Sequence, residues 1–141
     1  MLLHLKGHAE KINDTQYKLV LNIPELYLND ATYTITLRSI MLELGMLDEY
    51  TSHQFWTLST TAVDKSAINP QQEIASFHTP VHLESGYTSI VSYEPSIKRD
   101  YIIQIPSIHT SDFMLTSLRQ DARLEMVFLN LLLEINRYAR V

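Results

Sequence analysis

Thr32-Tyr33-Thr34-Ile35-Thr36-Leu37-Arg38-Ser39-Ile40-Met41-Leu42-Glu43-Leu44 is the most strand-like stretch of the chain. Thr32, Thr34 and Thr36 alternate with Tyr33, Ile35 and Leu37, so an extended backbone carries hydroxyls on one face and apolar groups on the other. β-Branched and aromatic side chains suit that pleated geometry. After Arg38 the phase reverses, and Ile40, Leu42 and Leu44 become the apolar set against Ser39 and Glu43. Side chains of a strand alternate strictly, so a change of phase needs an extra residue or a change of sheet. The spacing predicts a β-bulge at Arg38 or a bend between two sheets.

Working outward, Leu3, Leu5 and Gly7 alternate with His4, Lys6 and His8. Beyond the turn residues Asn13-Asp14-Thr15, Tyr17, Leu19, Leu21 and Ile23 alternate with Lys18 and Asn22, until Pro24 stops the run. Further strands are predicted at Phe55–Val63, Glu73–His78, Tyr87–Tyr93 and Tyr101–Ile108, bounded by Asp64-Lys65-Ser66, Asn69-Pro70, Thr79-Pro80 and Glu94-Pro95-Ser96. A short helical turn is predicted near Leu115–Arg119. The C-terminal run has two readings. Val127, Leu129, Leu131, Leu133 and Ile135 alternate as in a strand, whereas Asn130, Glu134 and Arg137 share one face of a helix, which Leu, Glu, Met and Arg favour by propensity. With the strand reading there are about eight strands at intervals of roughly 8 to 15 residues, the pattern of an all-β sandwich or barrel; the alternative is a β-sandwich with a C-terminal helix.

Composition bounds the function. The 141 residues fit one domain, residues 1–141, large enough to bury a core without disulfides or metal. With no cysteine, thiol catalysis and thiolate zinc sites are excluded. A formal net charge of −5 has the wrong sign for a protein that binds nucleic acid through phosphate contacts, so no direct nucleic-acid binding is expected. The N-terminus lacks the features of a signal peptide, and the most apolar segment, Leu124–Ile135, is too short and carries Glu125, Asn130 and Glu134. Neither export nor a membrane span is expected.

Several passages together resemble the single jelly-roll minor capsid or penton proteins of double-stranded DNA viruses and of Maverick/Polinton-like elements. They are Ile23-Pro24-Glu25-Leu26-Tyr27-Leu28-Asn29-Asp30 followed by the strand from Thr32, then Leu58-Ser59-Thr60-Thr61-Ala62-Val63-Asp64 with Asn69-Pro70 and Gln72-Glu73-Ile74, then Tyr93 with Pro95, and the Leu-rich final strand. The order covers most of the chain, and each motif is short and built from turn and strand residues. The chain departs from the family in its three glycines, Gly7, Gly45 and Gly86, where jelly rolls carry more at their corners. The resemblance implies an eight-stranded antiparallel jelly-roll sandwich, a homo-oligomer (a pentamer, with a trimer as the alternative), contacts to a larger major capsid protein, and residence in the virion or otherwise inside the cell. It supplies no catalytic or ligand-binding residue, and neither enzyme activity nor a cofactor is expected.

Several residue groups bear on chemistry. His78, His82 and Glu84 are two imidazoles and a carboxylate on one face of an extended segment, the ligand types of a cupin-like metalloenzyme. Pro80 between them argues for a loop or edge, and the spacing and glycine-poor flanks depart from the cupin pattern. No phosphate loop or Gly-x-Ser-x-Gly elbow exists; Asp48-Glu49 and Asp112 with Asp121 read as solvated loop carboxylates, and His4, His8, His53 and His109 are scattered. Lys98-Arg99 and Arg137 to Arg140 are the local basic features, and both read as solvated. Phe55-Trp56 puts one ring on each side of a strand, and Trp56 is the candidate interface anchor. A carbohydrate- or receptor-binding β-sandwich is the alternative to the capsid reading.

Overall fold

The computed structural model describes residues 1–45, 50–83, 88–117 and 125–138, and nearly all of the regular structure among them is strand. The strands are β1 (Leu2–Lys11), β2 (Gln16–Leu21), β3 (Tyr33–Gly45), β4 (Tyr50–Thr60), β5 (Glu73–Leu83), β6 (Thr88–Tyr93), β7 (Asp100–Ile102), β8 (Phe113–Ser117) and β9 (Glu125–Arg137). A 3₁₀ turn at Ile108–Thr110 is the one helical element among the described residues, and none of their helices is long and apolar enough to cross a membrane.

Every pairing is antiparallel, in the order β5-β4-β8-β2-β1-β9-β3-β6, with β7 pairing β3 off this path. The ribbon folds over into two four-stranded layers, β1-β9-β3-β6 and β2-β8-β4-β5, which is the wiring of a jelly roll, with β7 as a short addition. β1 joins the layers. Leu2–Gly7 pair with β9 and Gly7–Lys11 pair with β2, so Gly7 belongs to both pairings. On the opposite side β5 and β6 lie side by side without pairing, and the Phe77 and Tyr93 rings stack across that seam at 4.9 Å.

One core fills the space between the layers. Leu3 and Leu5 of β1, Ile35 and Leu37 of β3 and Leu129, Leu131, Leu133 and Ile135 of β9 enter from one side. Tyr17, Trp56, Leu58, Phe113 and Leu115 enter from the other. The phase reversal in β3 is a bulge: Leu37 pairs with Leu133 and Ser39 with Leu132, leaving Arg38 as the extra residue. That insertion lets both Ile35/Leu37 and Ile40/Leu42/Leu44 face the same core.

The C-terminal run is a strand. β9 lies between β1 and β3, and pairing on both sides overrides its helical propensity. Three local expectations are corrected. Of Tyr101–Ile108 only β7 is strand, because the segment changes partner repeatedly: Ile103 donates to Tyr33 O, Gln104 donates to Ala62 O, Pro106 has no N–H to give, and Ser107 bridges to Tyr27. Leu115–Ser117, where a helical turn was expected, belongs to β8, held between β2 and β4. β5 continues through Thr79-Pro80 to Leu83, since a strand hydrogen-bonded on one side only tolerates proline.

Candidate functional site

The bulge in β3 also shapes the surface. Opposite it, the strand that runs along β3 is interrupted: Tyr93 of β6 pairs with Ile40, pairing resumes at Asp100 of β7 opposite Thr36, and Glu94–Arg99 loop away between them. Lys98 Nζ donates to Pro95 O at 3.1 Å and lies 3.8 Å from the Glu94 carboxylate, which braces the loop. This detachment opens a groove of about 760 Å³ with Leu37 in its lining.

The other wall comes from the β4–β5 connection and the start of β5. Asn69 clamps this turn, its side-chain amide donating to Glu73 O and accepting from Glu73 N, both at 2.9 Å, while Gln72 takes a left-handed φ of 55°. Two runs of lining residues are consecutive, Glu73 to Ser76 on β5 and Asp100 to Ile102 on β7; the Asn69 side chain occupies Glu73 N and O, and just beyond β7 Ile103 bridges to Val63 while Gln104 donates to Ala62 O. Ile68 and Ile97 stand at its rim, 96% and 75% exposed. Its lining holds three carboxylates, Asp64, Glu73 and Asp100, against the guanidinium of Arg99. Asp100 also accepts a hydrogen bond from Thr36 Oγ1.

The outer faces of the two layers differ in character. On β2-β8-β4-β5 the register aligns Gln16, Thr116, Thr57 and Ser76 in one polar row. On β1-β9-β3-β6 the outward residues include half-buried Met41, Phe128 and Leu132, with Leu2 and Ile90 exposed at 59% and 63%. Lys6 and His4 are exposed on the β1 side of this face and half-buried Glu43 lies on the β3 side, with Arg38 paired to Glu134 at 2.9 Å between them. The outward residues of β9 are thus apolar and polar in turn, Phe128 and Leu132 alternating with Asn130 and Glu134.

The site residues expected from the sequence are dispersed. His78 is exposed on β5 and its ring lies tilted against Phe55, centroids 4.9 Å apart. Of His82 only the backbone position on β5 is described, and Glu84 lies outside the described residues, as do Asp48, Glu49 and Asp121. Among the described residues no three His, Asp or Glu side chains gather into a metal-ligand set. His109 is engaged with the backbone, its Nδ1 3.0 Å from Ile23 O.

Trp56 is corrected. It is 1% exposed and packs on Tyr17 with centroids 5.9 Å apart, so its ring is spent on the protein's own core and offers no surface to a partner. Phe55, 49% exposed, is the outward ring of the pair. Arg137 is exposed and sits 3.8 Å from the Asp30 carboxylate; Arg140 lies outside the described residues. Tyr33 donates its hydroxyl to the same carboxylate at 2.8 Å. That hydrogen bond holds Asp30 below its ordinary pKa, assisted by Arg137, and raises Tyr33 above its own.

The groove and the apolar sheet face were missed in the sequence. Exposed isoleucines in loops and alternate apolar residues on β9 were the available signals. In comparisons with known proteins, no protein-family model and no curated protein matches the chain.

Proposed function

We propose that the chain is a structural protein of a virus or virus-like shell, a minor capsid or penton-type component that forms a ring-shaped homo-oligomer and contacts a larger major capsid protein. The observation that carries the reading is the outer face of β1-β9-β3-β6, where Leu2, Met41, Ile90, Phe128 and Leu132 put apolar groups on the solvent side of a jelly-roll layer. A sheet in a solitary sandwich commonly keeps that side polar, as the Gln16, Thr116, Thr57 and Ser76 row of β2-β8-β4-β5 does. Apolar groups interleaved with charges on a solvated face are the character of an interaction surface.

Light scattering or mass photometry tests it. The purified chain is expected to run as a pentamer, with a trimer as the alternative ring, and Ile90→Arg is expected to shift it to monomer while leaving the circular dichroism spectrum unchanged. A monomer at tens of micromolar would sink the proposal. A carbohydrate- or receptor-binding module is the second reading, favoured by the exposed rings of Tyr27 and Phe55. Retention on a polysaccharide matrix, lost in Phe55→Ala, would favour it.

A further inference from the structure

The groove beside the β3 bulge offers little backbone to a guest: Asn69 occupies Glu73 N and O, and beyond β7 Ile103 bridges to Val63 while Gln104 donates to Ala62 O. Its side chains differ. Buried Leu37, Val63 and Ile74 give the lining an apolar floor, to which half-buried Tyr93 and Tyr101 add two rings. Exposed Asp64, Glu73, Asp100 and Arg99 bring charge to the opening. Neither oligomerisation nor the jelly-roll wiring requires that combination. At about 760 Å³ the space has the size of a small-molecule site, and both flanks are braced in advance, one by the Asn69 clamp and the other by Lys98 on Pro95 O and Glu94.

We propose that this groove binds a small organic cation, an ammonium group on an aromatic or alkyl body. The carboxylates set the sign of the guest. Three of them stand against one guanidinium in the lining, Lys65 and Lys98 lie outside it, and among the described residues Asp64, the Glu73 carboxylate and Arg99 have no hydrogen-bond or ion-pair partner. Asp100 is already engaged by Thr36 Oγ1, which leaves Asp64 and Glu73 to meet the ammonium head. Tyrosine rings attract a cation through their electron-rich faces and also give apolar contact, so Tyr93 and Tyr101 suit the same guest. A metal ion fits poorly, because no three His, Asp or Glu side chains among the described residues converge as a compact inorganic cation needs. A sugar fits poorly as well. The amide of Asn69 and the hydroxyl of Ser66, which could have met its hydroxyls, are taken up inside the turn by the backbone of Glu73 and of Asn69. What the lining leaves unpartnered is mainly charge, and the hydrocarbon body of the guest would cover the floor below it.

The probes are 2-phenylethylamine, 2-phenylethanol and 3-phenylpropionate, one body with a cationic, a neutral and an anionic head, titrated into the intact protein by calorimetry. The amine is expected to saturate one site with a dissociation constant below about 1 mM and to raise the melting temperature. The alcohol should bind at least tenfold more weakly, and the carboxylate not at all. Putrescine, which has ammonium heads and no ring, should also bind at least tenfold more weakly than the amine. Asp64→Asn with Glu73→Gln is expected to weaken the amine at least tenfold, and both side chains are exposed, so the fold is kept. Glu10→Gln, exposed on β1 and outside the lining, should leave binding unchanged. Amide shifts induced by the amine in nitrogen-15 spectra should centre on Asp64, Glu73 and Tyr101.

Equal affinity for the amine and the alcohol, full affinity in the doubly substituted protein, or no binding would overturn the proposal. Saturation by cellobiose or by calcium chloride with shifts at the same residues, and none by the amine, would overturn it in favour of a sugar or a metal ion. The site goes beyond the shell reading and does not depend on it, and the oligomeric state is read in the same samples. A pentamer that binds no amine refutes the groove site alone, and a monomer that binds it refutes the shell reading alone.

Discussion

Gly7 sits where β1 passes from one layer to the other, and a methyl group on it would lie 1.8 Å from the carbonyl oxygen of Val20. That neighbour is backbone and cannot rotate aside. Gly7→Ala is therefore expected to cost about 3 kcal/mol, read as a fall in the urea midpoint. In the sequence Gly7 merely continues the alternation of Leu3 and Leu5, because a close approach by Val20, thirteen positions away, leaves no local mark. Trp56→Ala is expected to cost about 3–5 kcal/mol of stability, while Phe55→Ala should cost less than about 1, the reverse of what an anchoring role for Trp56 would require. The strand period told us that the two rings point opposite ways, but not which of the two layers' sides was the inside. The Asp30–Tyr33 hydrogen bond gives a pH signature. The carboxyl is depressed in the folded state, so its contribution is present above its unfolded pKa of about 4 and lost as pH falls through the lower folded value; Tyr33 is raised, so its contribution is present below about 10 and lost as pH climbs through the folded value. Tyr33→Phe should flatten the stability profile at both ends.

β3 shows how one residue can organise an element. Deleting Arg38 would move either Ile35 and Leu37 or Ile40, Leu42 and Leu44 to the solvent side, and the deletion is expected to leave no cooperative unfolding transition by calorimetry. Arg38→Ala keeps the residue count and removes only the 2.9 Å ion pair with Glu134, with both partners partly exposed, so a loss of about 1 kcal/mol or less is expected. The contrast separates the spacing from the side chain. This bulge was legible because both halves of β3 alternate cleanly and the defect lies between them. β8 was not, since Phe113–Ser117 is short and carries Met and Leu; its state is decided by β2 and β4, which flank it in space and not in sequence. The groove escaped notice for a related reason. Its walls come from segments far apart in the sequence, which only the strand pairing brings together.

At the scale of the whole molecule, the all-β class followed from periodicity, while β8 and the order β5-β4-β8-β2-β1-β9-β3-β6 required the pairing itself. The first and last strands are neighbours along Leu2–Gly7 and Leu129–Glu134, so much of the core cannot assemble until both ends of the chain are in place. Folding is accordingly expected on the slow side of the two-state range, milliseconds to seconds or longer, by stopped-flow tryptophan fluorescence. The shared strand has one more consequence. Because β1 stitches the two layers together while β5 and β6 only touch, the sandwich has a spine and a fore-edge, like a closed book. Breathing should be lopsided: the fore-edge parts first, exposing the Phe77–Tyr93 stack and widening the neighbouring groove, while amides along the spine stay shielded until the whole molecule lets go.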